Sequence, residues 1–407
     1  MITTKDLIRL RDLAKQQMEL AKSEEMNLLR KEWVRHGAFQ NGRPMVLIET
    51  GTFANDILLQ RLTCEGEEAR ALEFMFMMNT INHLEFKDDF IVKPYLPVGI
   101  HYSFKPWNID VEVERLGNSG GCGQHIVSQV SDLEKEFHKF QKSTFQIDKQ
   151  APIDRMNYLN ELFGDIIPAK RTGGGLNASL TNNLVHVMQM EHMFLAMYDA
   201  PELLKKVLDM LADDYVALFK TMESENLLLS TTEDEWLCQG SLCFTDELPD
   251  NLQHYTTKDV WGYTDSQETV GVSAAMFEEF YFPSIKKVSE TYGLLSYGCC
   301  EAVDPFWERC ISTLQNLKKV SISAWCNEEY MGEQLRGKKI VYLRKPTPNL
   351  IGVGTTLDEE AVRLHIKKTM EAAKGCTIEF SQRDVYQVNH DVGKVARFVE
   401  IIKEESN

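Results

Sequence analysis

The chain has no Cys-x-x-Cys pair, no apolar run near the roughly 18 residues of a membrane span, and no Gly-x-x-x-x-Gly-Lys-Ser/Thr loop. The first absence excludes a zinc ribbon and a thioredoxin-type motif. The second excludes a membrane helix, and the third a P-loop nucleotide site. Gly173-Gly174-Gly175 and the cluster Gly117, Gly120, Gly121 and Gly123 are therefore weak phosphate-site candidates. Internal repeats and low-complexity tracts are also missing. Positive charge is in short supply: 44 Lys and Arg face 61 Asp and Glu, a formal net charge of −17. That balance opposes nucleic acid and anionic membrane as partners. Met1-Ile2-Thr3-Thr4-Lys5-Asp6 opens directly into a charged amphipathic segment, so no secretory leader is expected. The nine cysteines then read as free or metal-bound thiols in a reducing cytoplasm.

What the chain does have is apolar mass. Of 407 residues 43% are hydrophobic and 10% aromatic, enough for a large core. One barrel-sized domain of roughly 250 residues with a substantial elaboration suits that length. Residues 1–42 read as a helical extension, with Leu7, Leu10, Leu13, Met18 and Leu20 at helical spacing. Residues 43–407 alternate strands with helices, which implies a parallel sheet with right-handed crossovers. The expected fold is an α/β TIM (β/α)8 barrel in which residues 99–162 form a lid-like insertion near the mouth. Nine candidate strands compete for eight places, beginning at Met45, Phe90, Ile166, Leu227, Val260, Leu294, Val320, Ile340 and Thr377. Leu227–Leu229 and the alternating stretch Asp110–Glu114 are the weakest strand candidates. A helix is expected around Pro305–Leu317, and a capping box at Thr356–Glu359 should start another.

Chemistry-bearing residues gather where strands should end. Leu294-Leu295-Ser296-Tyr297-Gly298-Cys299-Cys300-Glu301 is a short apolar strand that runs into two thiols and a carboxylate. Soft and hard ligands at a strand's carboxyl end suit a metal or catalytic site in a barrel. Two buried structural cysteines beside a solvated Glu are the alternative. Strand alternation would point Cys299 and Cys300 to opposite faces. Glu233, Asp234 and Glu235 follow one strand and Asp265, Gln267 and Glu268 another; Trp325 and Cys326, Lys345, and Arg383 end later ones. Trp325 could line an aromatic pocket, and Lys345 and Arg383 could hold an anionic substrate.

Trp261-Gly262-Tyr263-Thr264-Asp265-Ser266, the helix Ser273–Pro283 with its Phe277, Phe280 and Pro283, the strand end Ser296–Glu301 and Arg43-Pro44 carry a resemblance. Together they resemble the superfamily of uroporphyrinogen decarboxylase, on the side of the cobalamin-dependent methyltransferases that share its barrel. The likeness covers residues 43–405 as a weak pattern. It implies a barrel enzyme demethylating a small methyl ether or methylamine and passing the methyl to the corrinoid of a separate partner protein. This chain has no Asp-x-His-x-x-Gly cobalamin motif of its own. Two departures stand out. Where decarboxylases carry substrate-clamping arginines this chain reads Glu49-Thr50-Gly51-Thr52-Phe53-Ala54-Asn55-Asp56. Where the thiol-alkylating relatives carry the His of a His-x-Cys zinc pair it has Tyr297, and Cys376 begins its strand rather than following it. The expected catalytic residues are Asp265, Glu268, Tyr297 and Glu301. Glu233, Glu235, Gln267, Trp325, Lys345 and Arg383 would bind substrate, and Glu268, Cys299, Cys300 and Cys326 would hold a zinc ion. A decarboxylase-like lyase and a non-catalytic barrel binding protein are the competing readings, and a homodimer is as compatible as a monomer.

Overall fold

The computed structural model describes residues 2–40, 42–115 and 124–406. The glycine cluster at 117–123 lies outside the described residues. Seven strands form one parallel sheet, in the order Met45–Ile48, Thr377–Gln382, Val341–Arg344, Leu317–Ile322, Leu294–Tyr297, Trp261–Thr264 and Leu176–Ala178. The chain's first sheet strand pairs in parallel with its last, Met45 opposite Glu379 and Ile48 opposite Gln382. From there each strand lies beside its predecessor in sequence. That is the order of a sheet wrapped toward a barrel rather than opened at a switch point. Leu96–Val98 and Ala169–Arg171 form a separate parallel pair. The segment leading into them lies beside the first strand, where Asp89 N donates to Val46 O at 2.7 Å. Among the described residues no ladder closes the circle.

Helices and strands bury one continuous apolar layer between them, from Val46 and Ile48 through Tyr297 and Val320 to Phe398 and Ile402. Gly262 shows how tight that layer is: a Cβ there would sit 2.0 Å from the Tyr292 ring. Gly262→Ala should therefore cost about 1–3 kcal/mol through overpacking. A urea melt with an unchanged midpoint would refute this.

The inner face is different. Alternate residues along the strands point inward, and here many are polar: Ser296, Lys319, Ser321, Glu379 and Ser381 are all buried. The hairpin Trp236–Cys238 with Ser241–Leu242 fills the space between them. At the N-terminal end Ser241 Oγ donates to Glu379 Oε2 at 2.6 Å. Lys319 Nζ reaches Glu379 Oε1 at 2.7 Å and Leu242 O at 2.8 Å. His36 Nε2, from the helix Glu24–Gly37, contacts the same carboxylate at 3.1 Å. The hairpin tip, Gln239-Gly240, has φ of 50° and 75°. Gly240 is required there, because a Cβ would lie 1.9 Å from Ser381 Oγ.

Several expectations change. The Phe90 and Leu227 segments are not strands, while Leu176–Ala178, unanticipated, joins the main sheet. The helix expected around Pro305–Leu317 is two 3₁₀ turns, Asp304–Phe306 and Ile311–Thr313. Asp358, not Thr356, caps the helix Glu359–Ala372. Glu112–Arg115 is a strand, paired with Gln124–Val127. The helix Thr4–Ala21 packs Leu10, Leu13 and Ala14 against Leu72, Phe76 and Leu96, inside the body of the fold. Among the described residues no helix is long and apolar enough to cross a membrane.

Candidate functional site

Side chains from five strand ends and the central hairpin meet above the sheet. The strand Leu294–Tyr297 stops at Gly298, whose φ of 95° turns the chain. The alternation expected for the two cysteines ends there. Both sulfurs come to one side, with Cys299 Sγ and Cys300 Sγ 3.5 Å apart. Arg383 Nη1 lies 3.5 Å from Cys299 Sγ, and Gln239 Oε1 lies 3.0 Å away. Lys345 Nζ donates to Gln239 Oε1 at 3.2 Å and to Cys299 O at 3.0 Å. Cys300 Sγ has Asp384 Oδ2 at 3.0 Å. The hydrogen bond from Cys300 and the positive charges of Lys345 and Arg383 outweigh burial, and the Cys299 thiol falls from 9.0 to about 7. Its partner goes the other way, with the shared hydrogen bond and burial raising the Cys300 pKa. Peptide-mapped alkylation of Cys299 by iodoacetamide should therefore rise through pH about 7. A midpoint at 9.0 or above would contradict this environment.

Asp265 is the second element. It follows the strand Trp261–Thr264 and is buried. Burial, then the nearby charges of Glu301 and Cys299, raise its pKa well above the carboxylate range. Tyr263 OH donates to Asp265 Oδ2 at 2.8 Å. Oδ1 is buried without a hydrogen-bond partner. Of the two oxygens, Oδ1 is the one with no donor bound to it, and so the one left for a proton.

The remaining candidates divide by what holds them. Glu301 accepts Ser266 N at 3.0 Å and Cys299 N at 2.8 Å, so its carboxylate fastens two strand-end loops together. Tyr297 bonds Ser266 Oγ at 2.7 Å and belongs to the outer apolar layer, not to the inner face. Glu268 takes Thr181 Oγ1 at 2.7 Å and Asn182 Nδ2 at 2.9 Å, anchoring the helix Leu180–Val187. Gln267 and Glu233 are exposed. Glu235 is buried and accepts Glu233 N, while its neighbour Asp234 accepts Tyr95 OH at 2.6 Å. Trp325 is 79% exposed, on the surface rather than in the core. The strand before it ends at Ile322, earlier than its apolar run suggests.

The expected zinc ligands do not assemble. Glu268 is engaged by Thr181 and Asn182. Cys326 Sγ sits under the loop, 3.4 Å from Val303 N and 3.8 Å from Glu301 O. Among the described residues no three His, Cys, Asp or Glu side chains converge on one point suited to a metal ion. The donor set does not fit zinc. The acids after the first strand are likewise spoken for. Glu49 Oε2 lies 2.8 Å from Arg383 Nε, and Asp56 accepts Val388 N at 2.8 Å.

Sequence reasoning missed Gln239, Gly240, Ser266 and Tyr263. Tyr263-Thr264-Asp265 carried the available signal, since residues two apart on a strand share a face. Gly173-Gly174-Gly175 serves close packing: a Cβ on Gly173 would meet Ser230 O at 2.7 Å, and one on Gly175 Leu237 O at 2.8 Å. This loop, with Gly99, Ile100, Tyr102 and Asn177, borders a cavity of about 170 Å³ beyond the ends of Leu96–Val98 and Ala169–Arg171.

No protein-family model matches the chain, and no curated protein matches its sequence. A solved methyltransferase from Methanosarcina mazei matches its structure, with a TM-score of 0.52 and 11% identity. The two chains share a fold. The match covers 92% of this chain and 98% of the other. The barrel-like architecture is thus common to both over nearly their whole lengths.

Proposed function

We propose that the chain is a corrinoid-dependent methyltransferase that demethylates a small methyl ether or methylamine. The observation that carries this reading is Asp265: a buried carboxyl, its pKa raised by that burial, whose Oδ1 has no hydrogen-bond partner. Breaking an ether's methyl–oxygen bond leaves an alkoxide, a poor leaving group unless protonated as it departs. Asp265 Oδ1 supplies that proton, and Tyr263 holds the carboxyl in place through Oδ2. Glu301 and Ser266 fix the loops on either side. Lys345 supplies positive charge at the same rim, which favours an oxygen that gains negative charge. The shared fold with a methyltransferase supports the reaction class.

A corrinoid protein would supply the methyl acceptor. Val270, Trp325, Val353 and Tyr386 support a docking partner. All are well exposed, and they stand on loops that follow four of the strands. In the same reading the described parts of the 99–162 stretch cover one side of the mouth. The reduced thiols suit a cytoplasmic enzyme. A decarboxylase-like lyase is less well supported, because Arg383 is already engaged by Glu49 and Cys299.

The test supplies the protein with a Co(I) corrinoid protein and a panel of methyl ethers and methylamines. One substrate class should consume the Co(I) absorbance at a rate proportional to enzyme. No change with any compound would overturn the proposal.

A further inference from the structure

We propose that Cys299 and Cys300 form a reversible oxidation site, in which a small hydroperoxide converts the adjacent thiols to a vicinal disulfide. The inference stands apart from the methyl-transfer reading, because it concerns sulfur chemistry that the reading does not use.

Four observations carry it. The sulfurs are already 3.5 Å apart, on a turn made by Gly298 rather than on opposite faces of a strand. Arg383 Nη1 lies within 3.5 Å of Cys299 Sγ and Lys345 lies within 3.0 Å of Cys299 O, so a thiolate at Cys299 is compensated. Cys300 Sγ has two acceptors within reach, Cys299 Sγ at 3.5 Å and Asp384 Oδ2 at 3.0 Å. Cys300 is partly exposed whereas Cys299 is only 5% exposed, so a small oxidant reaches the Cys299 sulfur more readily than a protein or glutathione disulfide does. An ionised attacking thiol next to a protonated second thiol is the arrangement that oxidation to a disulfide needs.

The step balances. The Cys299 thiolate attacks one peroxide oxygen, the O–O bond breaks, and the departing oxygen takes a proton and leaves as alcohol or water. Cys299 is now a sulfenic acid. The Cys300 sulfur attacks it, the S–S bond forms and the S–O bond breaks. The hydroxide released combines with the Cys300 proton as water. Two electrons have passed from the thiol pair to the peroxide. Adjacent Cα atoms stand about 3.8 Å apart, short of the roughly 4.4–6.8 Å usual for a disulfide, so the product is strained and readily reduced. That strain favours a reversible mark over a structural bond. Oxidation also removes the negative charge that Arg383 faces.

The experiment treats the full-length protein with hydrogen peroxide and maps the peptide containing both residues by mass spectrometry. The expected result is loss of two hydrogens from that peptide, restored by dithiothreitol. Oxidised glutathione should act at least about tenfold more slowly, because Cys299 is enclosed. Cys300→Ser should instead gain oxygen on Cys299, since no second thiol resolves the sulfenic acid. Oxygen addition on the wild-type pair without hydrogen loss would overturn the proposal. So would a disulfide from either residue to another cysteine.

Discussion

Asp265→Asn should lower methyl transfer by roughly a hundred- to ten-thousandfold, the usual worth of a positioned general acid. The amide keeps the size and the Tyr263 contact but has no acidic proton. The loss should fall on kcat for ether substrates, whose leaving oxygen needs protonation. It should be milder for a phenyl methyl ether bearing electron-withdrawing groups, whose phenolate leaves more easily. Tyr263→Phe removes only the hydroxyl that fixes Oδ2, so a smaller loss is expected. The check is the steady-state rate of methyl transfer for both variants on one ether. Equal rates for wild type and Asp265→Asn would remove Asp265 from the chemistry.

Lys319→Met should destabilise the fold by about 3–5 kcal/mol, because it leaves a buried charge without its partner. Glu379 is fully enclosed, with its two oxygens satisfied by Lys319, His36 and Ser241. Lys319 and His36 hold its pKa at about 2, against an ordinary 4.5, despite the opposing effect of burial. The sign follows. A depressed carboxylate contributes stability that is present above pH 4.5 and is lost as pH falls toward 2. Wild type should therefore lose stability over that window, and Glu379→Gln should show a flatter acid limb from a lower plateau. Urea melts at several pH values measure both effects. Parallel acid limbs for wild type and Glu379→Gln would show that this carboxylate does not govern the response.

The sheet was legible because its later strands are short apolar runs between long amphipathic helices. The stretches at Trp261, Leu294, Val341 and Thr377 all fall within a residue or two of the observed strands. Leu317–Ile322 was displaced toward Trp325 because Ala324 and Trp325 extend the apolar run beyond the last sheet hydrogen bond. The hairpin inside the sheet was not legible. Its strands have three and two residues, below any periodicity, and its turn is Gln-Gly rather than a familiar Asn-Gly. The thiol pair was visible as residues, but its geometry depends on the positive φ of Gly298, which a strand-based reading overlooks. The expected zinc ligands stay apart for a related reason. Spacing along the chain cannot show that Glu268 is already satisfied by a helix nearly ninety residues earlier.

The hairpin tip also bears on how the chain is made. Gly240 and Ser241 rest on Ser381 and Glu379, and the Ser241–Glu379 contact spans 138 residues. During synthesis the hairpin leaves the ribosome long before the strand that receives it exists. Its polar groups must stay hydrated until the last strand arrives, so the plug seats in a late, non-local step. A nascent chain halted before Thr377 would carry its other strands but no settled interior, and would expose that stretch to proteases.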